Sequence, residues 1–197
     1  METFRRALAK LLIPLGESLA SFGVSPHLVS ISGIVFGCLT AWCFVTGQYL
    51  LANIAFVLSG LSDAVDGIVA RTRGLQSPFG SFFDNFCSLY TDSAAFAGLI
   101  VANLCSPFWG VAALVGTLAR LLTFRLEGLL PKEEAEALRW RFPFALAGKG
   151  DRILLVALGT ALGRIDVAII VIAVATNLVA IYRSYYLYSG GMAKLRS

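Results

Sequence analysis

The sequence has few charged residues. Charged side chains account for 14% of the 197 residues, whereas hydrophobic side chains account for 57%. Soluble globular domains contain about a quarter charged residues, so this scarcity argues against a soluble enzyme and against a disordered chain. The net charge of +4 does not indicate an ordinary nucleic-acid-binding protein either, because the positive residues are spread over many short segments instead of forming one patch.

The sequence also has no CxxC pair of cysteines, and we expect no cleavable leader in it. None of the four cysteines belongs to a CxxC pair and all lie in or beside apolar runs, so we predict small core residues rather than disulfide partners or metal ligands. Pro14 and Glu17 interrupt the apolar stretch near the N-terminus and no convincing cleavage site is present, so we expect no signal peptide. The four cysteines are Cys38, Cys43, Cys87 and Cys105.

Long apolar runs are what the sequence has instead, and runs of about 20 residues predict membrane spans. The fifth of six such runs is short, because its uninterrupted part, Ile153–Gly163, is 11 residues or about 16 Å long. It crosses a hydrocarbon core of about 30 Å only if its helix extends back through Lys149, Asp151 and Arg152. Those charges must then face a wet cavity or the cytoplasmic interface. The six runs cover residues 28–46, 50–70, 80–103, 107–126, 146–163 and 166–188.

Two further segments predict helices outside the spans. In residues 2–22, apolar residues alternate with charged ones such as Arg5 and Lys10. The pattern suits an amphipathic helix lying on the inner leaflet, although a simple packing helix fits it equally well. Residues 131–139 open with a proline followed by acidic residues, which predicts a short cytoplasmic helix.

The predicted fold is therefore an all-α integral membrane protein with six transmembrane helices and an N-terminal amphipathic interfacial helix. We expect one membrane domain over residues 1–197, with the interfacial helix in 1–24 and the six-helix bundle in 25–190. Both termini fall on one side, and that side carries nearly all the Lys and Arg residues of the loops, whereas the opposite loops contain only Arg164. By the positive-inside rule both termini are cytoplasmic, and we expect the protein in the cell (inner) membrane.

Carboxylates inside the predicted spans point to the chemistry. Four of the six aspartates lie there, and each costs about 2.5–3.5 kcal/mol on insertion scales. Divalent metal ions would compensate them best, because Mg²⁺, Mn²⁺ and Ca²⁺ prefer hard oxygen ligands. Buried salt bridges with arginines and a cation or proton pathway are the alternatives. The four are Asp63, Asp66, Asp84 and Asp92.

Helix geometry predicts which of these side chains share a level in the membrane. Spans two and three are antiparallel, and Asp66 and Asp84 each lie four residues inside the cytoplasmic end of their span. They should therefore lie at the same depth, about 6 Å in. Asp63 is one turn deeper, level with Ser88 on the other helix, and Asp92 is another turn deeper.

The stretch from Asp63 to Asp84 resembles the signature of the CDP-alcohol phosphotransferase (CDP-alcohol phosphatidyltransferase) family, D-x2-D-G-x2-A-R-x8-G-x3-D-x3-D. Seven of its eight fixed positions match at the right spacing, and the last Asp of the signature falls on Ser88. Residues 25–30, SPHLVS, are similar to the family's segment before the first span, usually Pro-Asn-x-x-Thr. The length, six spans and cytoplasmic termini also fit this family.

The resemblance implies a reaction and a set of site residues. In this reaction a CDP-alcohol such as CDP-diacylglycerol binds at the cytoplasmic side, and Mg²⁺ or Mn²⁺, usually as two ions, bridges its phosphates. An acceptor hydroxyl then attacks the β-phosphorus, and CMP leaves. A homodimer active in phospholipid synthesis is also implied. By position, the metal ligands are Asp63, Asp66 and Asp84, and the residues lining the CDP site are Gly67, Ala70, Arg71 and Gly80.

The family's presumed general base is the carboxylate at position 88, where this chain has Ser88. A serine is not a base near neutral pH without an activator of its own. Asp92, one turn deeper and about 6 Å away along the axis, is a candidate substitute acting through water. A purely structural role for Asp92 is the alternative.

Basic residues near the cytoplasmic ends of later spans suggest an acceptor site. Arginines in such positions suit phosphate, which favours a phosphorylated acceptor such as inositol phosphate or glycerol phosphate. Charge balance for Asp151, Glu127 and lipid phosphates is the alternative. The four basic residues are Arg120, Lys149, Arg152 and Arg183.

Three functions remain open from the sequence. The first is an active CDP-alcohol phosphotransferase that uses a CDP-lipid and a polar acceptor alcohol, and it is our prediction. The second is a catalytically impaired family member that binds CDP-lipid without turnover. The third is a cation or proton transporter, for which the sequence has no visible inverted repeats or broken helices.

Overall fold

The structure, a computed structural model, describes residues 2–127 and 148–195, with side chains over 12–124 and 148–189. Over these ranges the chain is all-helical, with seven helices. In chain order they are α1 (Glu2–Ser21), α2 (Pro26–Val45), α3 (Tyr49–Thr72), α4 (Pro78–Val101), α5 (Pro107–Glu127), α6 (Lys149–Ala161) and α7 (Ile165–Leu195).

Proline and glycine set several helix boundaries. Helices α2, α4 and α5 begin with Pro26, Pro78 and Pro107, and proline suits a first helical position because its missing N–H would have no partner there. Beyond α3, Gly74 adopts a φ of 63° and donates its N–H to the Arg71 carbonyl. A side chain would be strained in this left-handed conformation, so glycine allows the chain to turn sharply toward α4.

Four helices are long and apolar enough to cross a membrane, which makes this a membrane protein. Many of their large apolar side chains face outward, as Leu50 does at 74% exposure and Trp42 at 66%. Lipid contact accounts for such exposure, whereas water would not. The four segments are Pro26–Val45, Tyr49–Thr72, Pro107–Phe124 and Ile165–Ser189.

The other two predicted spans correspond to helices that do not meet both conditions in the described residues. Helix α4 has 24 residues, but Asp84, Asn85 and Asp92 lower its hydropathy. Helix α6 has 13 residues and is about 20 Å long, shorter than the 30 Å core. It begins at Lys149, as the prediction for the fifth span required. The six-span topology and the interfacial role of α1 remain predictions, and the helix predicted at 131–139 lies outside the described residues.

The described chain divides into two compact units, residues 1–98 and 99–197. In the first, α1 packs on α3 through Gly16, because a Cβ there would lie 2.5 Å from the Ile68 side chain. Leu12 and Val69 belong to the same apolar core. Helix α2 meets α4 at Gly37, where an added Cβ would lie 2.8 Å from the Thr91 Cα. Small residues thus bring these helices into close contact.

In the second unit, α5 and α7 pack closely. A Cβ at Gly116 would collide with Thr176 and Asn177 of α7. The Asn177 amide Nδ2 donates 2.8 Å hydrogen bonds to the carbonyls of Ala112 and Ala173. These contacts fix the register of the two helices.

The cysteine prediction is confirmed at three positions and wrong at one. All four cysteines are free, and Cys43, Cys87 and Cys105 are buried. Cys38 is exposed because it lies off the buried face of α2, which includes Gly37 and Thr40. Burial also raises the pKa of the Cys105 thiol, in the connection between α4 and α5, above its ordinary value.

Candidate active site

Two adjoining cavities lie at the start of α4 and the end of α3, with volumes of about 450 and 660 Å³. Four residues line both of them: Asp66, Gly67, Arg71 and Asp84. The pair therefore shares a wall made of two carboxylates, one guanidinium group and one residue without a side chain.

The smaller cavity, which we call the first cavity, contains all four residues predicted for the CDP site. Ala70 and Gly80 line it in addition to Gly67 and Arg71. The start of α2 closes it with His27 and Ser30, and the connection between α3 and α4 supplies further polar side chains. These are Gln76, Ser77 and Ser81.

The larger cavity, the second cavity, lies on the α1 side of the carboxylates. Asp63 lines it together with the residues of the shared wall. Its other side is formed by Leu12, Ile13 and Glu17 of α1. All seven matched signature residues thus line one or both of these cavities, and an α1 wall that the sequence had not indicated completes the second.

The carboxylates are held by serine hydroxyls. Asp66 is 4% exposed and accepts a 2.5 Å hydrogen bond from Ser30 Oγ. Asp63 accepts a 3.1 Å hydrogen bond from Ser88 Oγ. The predicted equal depth of Asp63 and Ser88 is thereby confirmed. The charges of Asp63 and Asp84 both act on Asp66.

The described part of the chain contains no group of three or more His, Cys, Asp or Glu side chains already arranged to hold a metal ion. Asp63 and Asp66 accept hydrogen bonds from Ser88 and Ser30 instead. The predicted ligand set of Asp63, Asp66 and Asp84 is brought to the two cavities but is not assembled, and it remains a prediction.

Ser88 and Asp92 have different surroundings. Ser88 is half-buried and hydrogen-bonds to Asp63 beside the second cavity. Asp92 is 2% exposed and lines neither cavity. This position agrees with a structural role for Asp92, and its action as a substitute base stays a prediction.

The two signature glycines leave room for neighbouring polar groups. A Cβ at Gly67 would lie 3.4 Å from Arg71 Nη1, so the arginine side chain rests against the space that glycine leaves open. Gly80 donates its N–H to Ser77 Oγ over 2.9 Å. A Cβ at Gly80 would also approach Cε1 of His27 at 3.9 Å.

Two side chains that line the first cavity, Ser30 and His27, were missed as individual site residues, and so was a contact of Arg73, which lines neither cavity. Ser30 and His27 lay within the family-like segment 25–30, and that resemblance could have singled them out. The His27 ring packs edge-on against Phe79 and Phe83, with centroid distances of 5.9 and 5.0 Å. Arg73 donates from Nη1 to two carbonyls of the α1–α2 connection, each over 2.9 Å, and no sequence pattern indicated this contact.

The four basic residues predicted for the acceptor lie in the second unit. Arg152 and Lys149 occupy the first turn of α6. Arg183 of α7 and Arg120 of α5 meet at Phe124, with guanidinium carbons 3.7 and 4.6 Å from the ring centroid. Arg152 and Arg183 are buried, at 3% and 4% exposure, and the other two are half-buried.

Asp151 stabilises the start of α6, and charge balance between Asp151 and the basic residues remains an alternative. Its Oδ2 accepts the N–H of Gly148 over 3.1 Å. A carboxylate in the first turn of a helix is stabilised in this way by free N–H groups.

Comparison with known proteins gives a family and several relatives. The family model for CDP-alcohol phosphatidyltransferase matches residues 24–192. An archaetidylinositol phosphate synthase from Pyrococcus horikoshii is 24% identical over 172 residues, 87% of each chain. A phosphatidylinositol phosphate synthase from Mycobacteroides abscessus is 32% identical over 157 residues, 79% of this chain and 70% of that one.

Two crystal structures of the Mycobacterium tuberculosis phosphatidylinositol phosphate synthase share the fold. The complex with manganese and citrate has a TM-score of 0.69 and covers 90% of this chain and 88% of that one. The form with CDP-DAG bound has a TM-score of 0.63 and covers 91% and 94%. Both are 20% identical in sequence, so the likeness concerns the fold.

Proposed function

The chain belongs to the CDP-alcohol phosphatidyltransferase family, and on that premise we propose that this membrane transferase moves a phosphatidyl-type group from a CDP-alcohol such as CDP-diacylglycerol to an acceptor alcohol. In this reaction the acceptor oxygen bonds to the β-phosphorus, the bond from that phosphorus to the bridging oxygen breaks, and CMP leaves. One observation carries the proposal: all seven matched signature residues line the two adjoining cavities.

The shared wall is where the two phosphates of the donor would lie. Arg71 supplies a permanent positive charge there, and Gly67 lets a ligand approach the backbone. The nucleotide would occupy the first cavity, whose volume of about 450 Å³ and polar rim of His27, Gln76 and Ser77 suit it.

The carboxylates at the two cavities suit Mg²⁺ or Mn²⁺, and the family resemblance implies two ions. Asp63, Asp66 and Asp84 would hold the metal, because carboxylate oxygens are the ligands these cations prefer and their mutual repulsion favours a divalent cation between them. When bound, the metal would neutralise charge on the phosphates.

Ser88 favours a second candidate, a family member that binds CDP-lipid without turnover. General-base catalysis contributes about 10²–10⁴-fold, and the side chain at this position is a hydroxyl already hydrogen-bonded to Asp63. Asp92 is buried and outside both cavities, so a proton could reach it only through an intervening group. No observation favours the transporter.

The acceptor would be phosphorylated, with inositol phosphate or glycerol phosphate as candidates. Arg120 and Arg183 have guanidinium carbons within about 8 Å of each other, since both contact one ring. Their repulsion is about 2 kcal/mol at an effective dielectric constant of 20, and a phosphate dianion between them would reverse its sign. The names of the related synthases, which refer to inositol phosphate products, agree with this choice.

The proposed setting is the cell inner membrane, with both termini cytoplasmic. Helices α4 and α6 would complete six spans in each chain, and two chains would form a homodimer. The distribution of Lys and Arg between the loops supports this orientation. The cavities, close to the end of α3 and the start of α4, would then open toward the cytoplasmic face.

The test is CMP release by the purified full chain in lipid nanodiscs, with radiolabelled CDP-diacylglycerol, Mn²⁺ or Mg²⁺ and a panel of acceptors. We expect release that depends on the metal, on a phosphorylated acceptor and on Asp66, so Asp66→Asn abolishes it. Release with no acceptor or with EDTA would contradict the proposal.

Ser88→Asp separates the two candidate functions. Release by the unmodified chain supports turnover with Ser88 in place. If only the Ser88→Asp variant releases CMP, while both proteins bind CDP-diacylglycerol equally, the impaired member is the right description. Ser88→Ala controls for loss of the hydrogen bond to Asp63.

A further inference from the structure

Phe124 is the one aromatic ring in the described second unit that two arginines contact at once. Arg183 lies closer, with its guanidinium carbon 3.7 Å from the ring centroid, which is stacking distance. Arg120, one turn before Phe124 on α5, lies at 4.6 Å. The ring is 38% exposed, so it is a partly open surface rather than a filled core position.

The packing of α5 against α7 brings Arg183 to the Phe124 ring. Asn177 of α7 hydrogen-bonds to the Ala112 carbonyl of α5, and Gly116 closes the gap between the helices. From that contact α5 continues 12 residues to Phe124 and α7 continues six residues to Arg183, whose guanidinium group reaches the ring. The ring therefore stands at a fixed position between a neighbour on its own helix and one across the interface.

An aromatic face attracts guanidinium groups through its quadrupole and stacks on their planar surface. Stacking occupies the face of the guanidinium and leaves its N–H groups, which lie in the plane, directed sideways. Both guanidinium groups lie against one ring, and the N–H groups of arginine form charge-assisted, often bidentate hydrogen bonds with phosphate oxygens.

We propose that Phe124 is a positioning residue that holds Arg120 and Arg183 at the separation one phosphate group requires. The inference rests on the proposed function, because the phosphate is that of the acceptor alcohol. Phe124 does not touch the reacting atoms. It sets the affinity for the phosphorylated acceptor through the two arginines, and it leaves the affinity for the CDP-lipid unchanged.

The test compares Phe124→Leu, which keeps an apolar side chain but removes the ring, with Phe124→Tyr, which keeps the ring. Binding of inositol phosphate and of unphosphorylated inositol to the full chain in detergent is measured by titration calorimetry. We expect Phe124→Leu to raise the Kd for inositol phosphate about 2- to 30-fold, the range of cation–π strengths. The Tyr variant should stay within about twofold of the original chain.

Phe108→Leu is the matched control, because it makes the same change on the same helix at a ring that contacts Trp109 instead of arginine. It should leave the Kd unchanged. In turnover, Phe124→Leu should raise KM for inositol phosphate while kcat and the KM for CDP-diacylglycerol stay the same. Phe124→Met gives a second ring-free variant if the Leu variant does not fold.

The outcomes separate this inference from the proposed function. If the original chain releases no CMP but binds inositol phosphate, and Phe124→Leu weakens that binding, the proposed transferase activity is refuted and the role of Phe124 is supported. An unchanged Kd in both ring-free variants would refute the role of Phe124 even where transfer occurs. Failure of the original chain to bind inositol phosphate would also overturn it, as would equal weakening for inositol.

Discussion

Ser30→Ala is the sharpest single test of how the carboxylates are held. Ser30 Oγ lies 2.5 Å from Asp66 Oδ2 and 3.1 Å from the Pro26 carbonyl. A hydroxyl has one proton to donate, and the shorter distance to a carboxylate assigns it to Asp66. Removing the hydroxyl leaves a carboxylate at 4% exposure without this donor.

The expected loss follows from the strength of such a bond. Hydrogen bonds to charged groups contribute about 1.5–3 kcal/mol, which corresponds to about a 10- to 150-fold fall in kcat/KM if the bond orients Asp66 for its ligand. We expect the Ala variant to require more Mn²⁺ for half-maximal CMP release. Ser30→Thr keeps the hydroxyl and should retain activity, in line with the threonine that the family-like segment usually has at this position.

Ser32→Ala is the matched control, two residues further along α2. Ser32 Oγ donates to the Val29 carbonyl over 2.7 Å and contacts Ser62, without reaching a carboxylate. Both variants are assayed over a Mn²⁺ titration after their thermal unfolding has been compared. If Ser30→Ala and Ser32→Ala show the same Mn²⁺ dependence as the original chain, the Ser30 hydroxyl does not position Asp66.

Further predictions concern packing and the α1–α2 connection. Gly37→Ala should lower the free energy of unfolding by about 1–3 kcal/mol, because its Cβ would collide with the Thr91 backbone. Gly150→Ala should instead raise the free energy of unfolding by up to about 1 kcal/mol, because nothing lies within 4 Å of that position. Thermal or denaturant unfolding of both variants in one detergent measures the order of their stabilities, and the reverse order would contradict this packing. Arg73→Met should remove two hydrogen bonds, each worth about 0.5–1.5 kcal/mol, and should therefore speed amide hydrogen exchange in the connection before α2. Arg73→Lys should keep part of the protection from exchange. Equal exchange rates in the original chain and both variants would show that the contact does not restrain this segment.

The hydrogen bond between Ser88 and Asp63 gives the signature departure a structural consequence. A carboxylate at position 88 would stand beside that of Asp63, and the two would repel. A hydroxyl there instead donates to Asp63. At the edge of the second cavity the chain therefore has a hydroxyl that stabilises Asp63 in place of a carboxylate that would repel it. Without a carboxylate at position 88, another group would have to accept the proton of the acceptor alcohol.

Features that depend on composition or on spacing along one helix could be predicted from the amino-acid sequence. The helices, the apolar spans and the carboxylates at Asp63 and Asp66 are of this kind, because a helical repeat fixes faces and depths without knowledge of neighbours. The match in level between Asp63 and Ser88 needed only the further assumption that two consecutive helices are antiparallel.

Contacts between segments far apart in the chain could not be predicted and became known from the packed helices. Ser30 reaches Asp66 across 36 positions, α1 closes the second cavity against α3, and Phe124 of α5 meets Arg183 of α7. Such partners depend on how two helices rotate and slide against each other, which small residues such as Gly16 and Gly116 control through close packing. A periodic pattern within one helix contains no information about that rotation, so the partners became visible only when the helices were placed side by side.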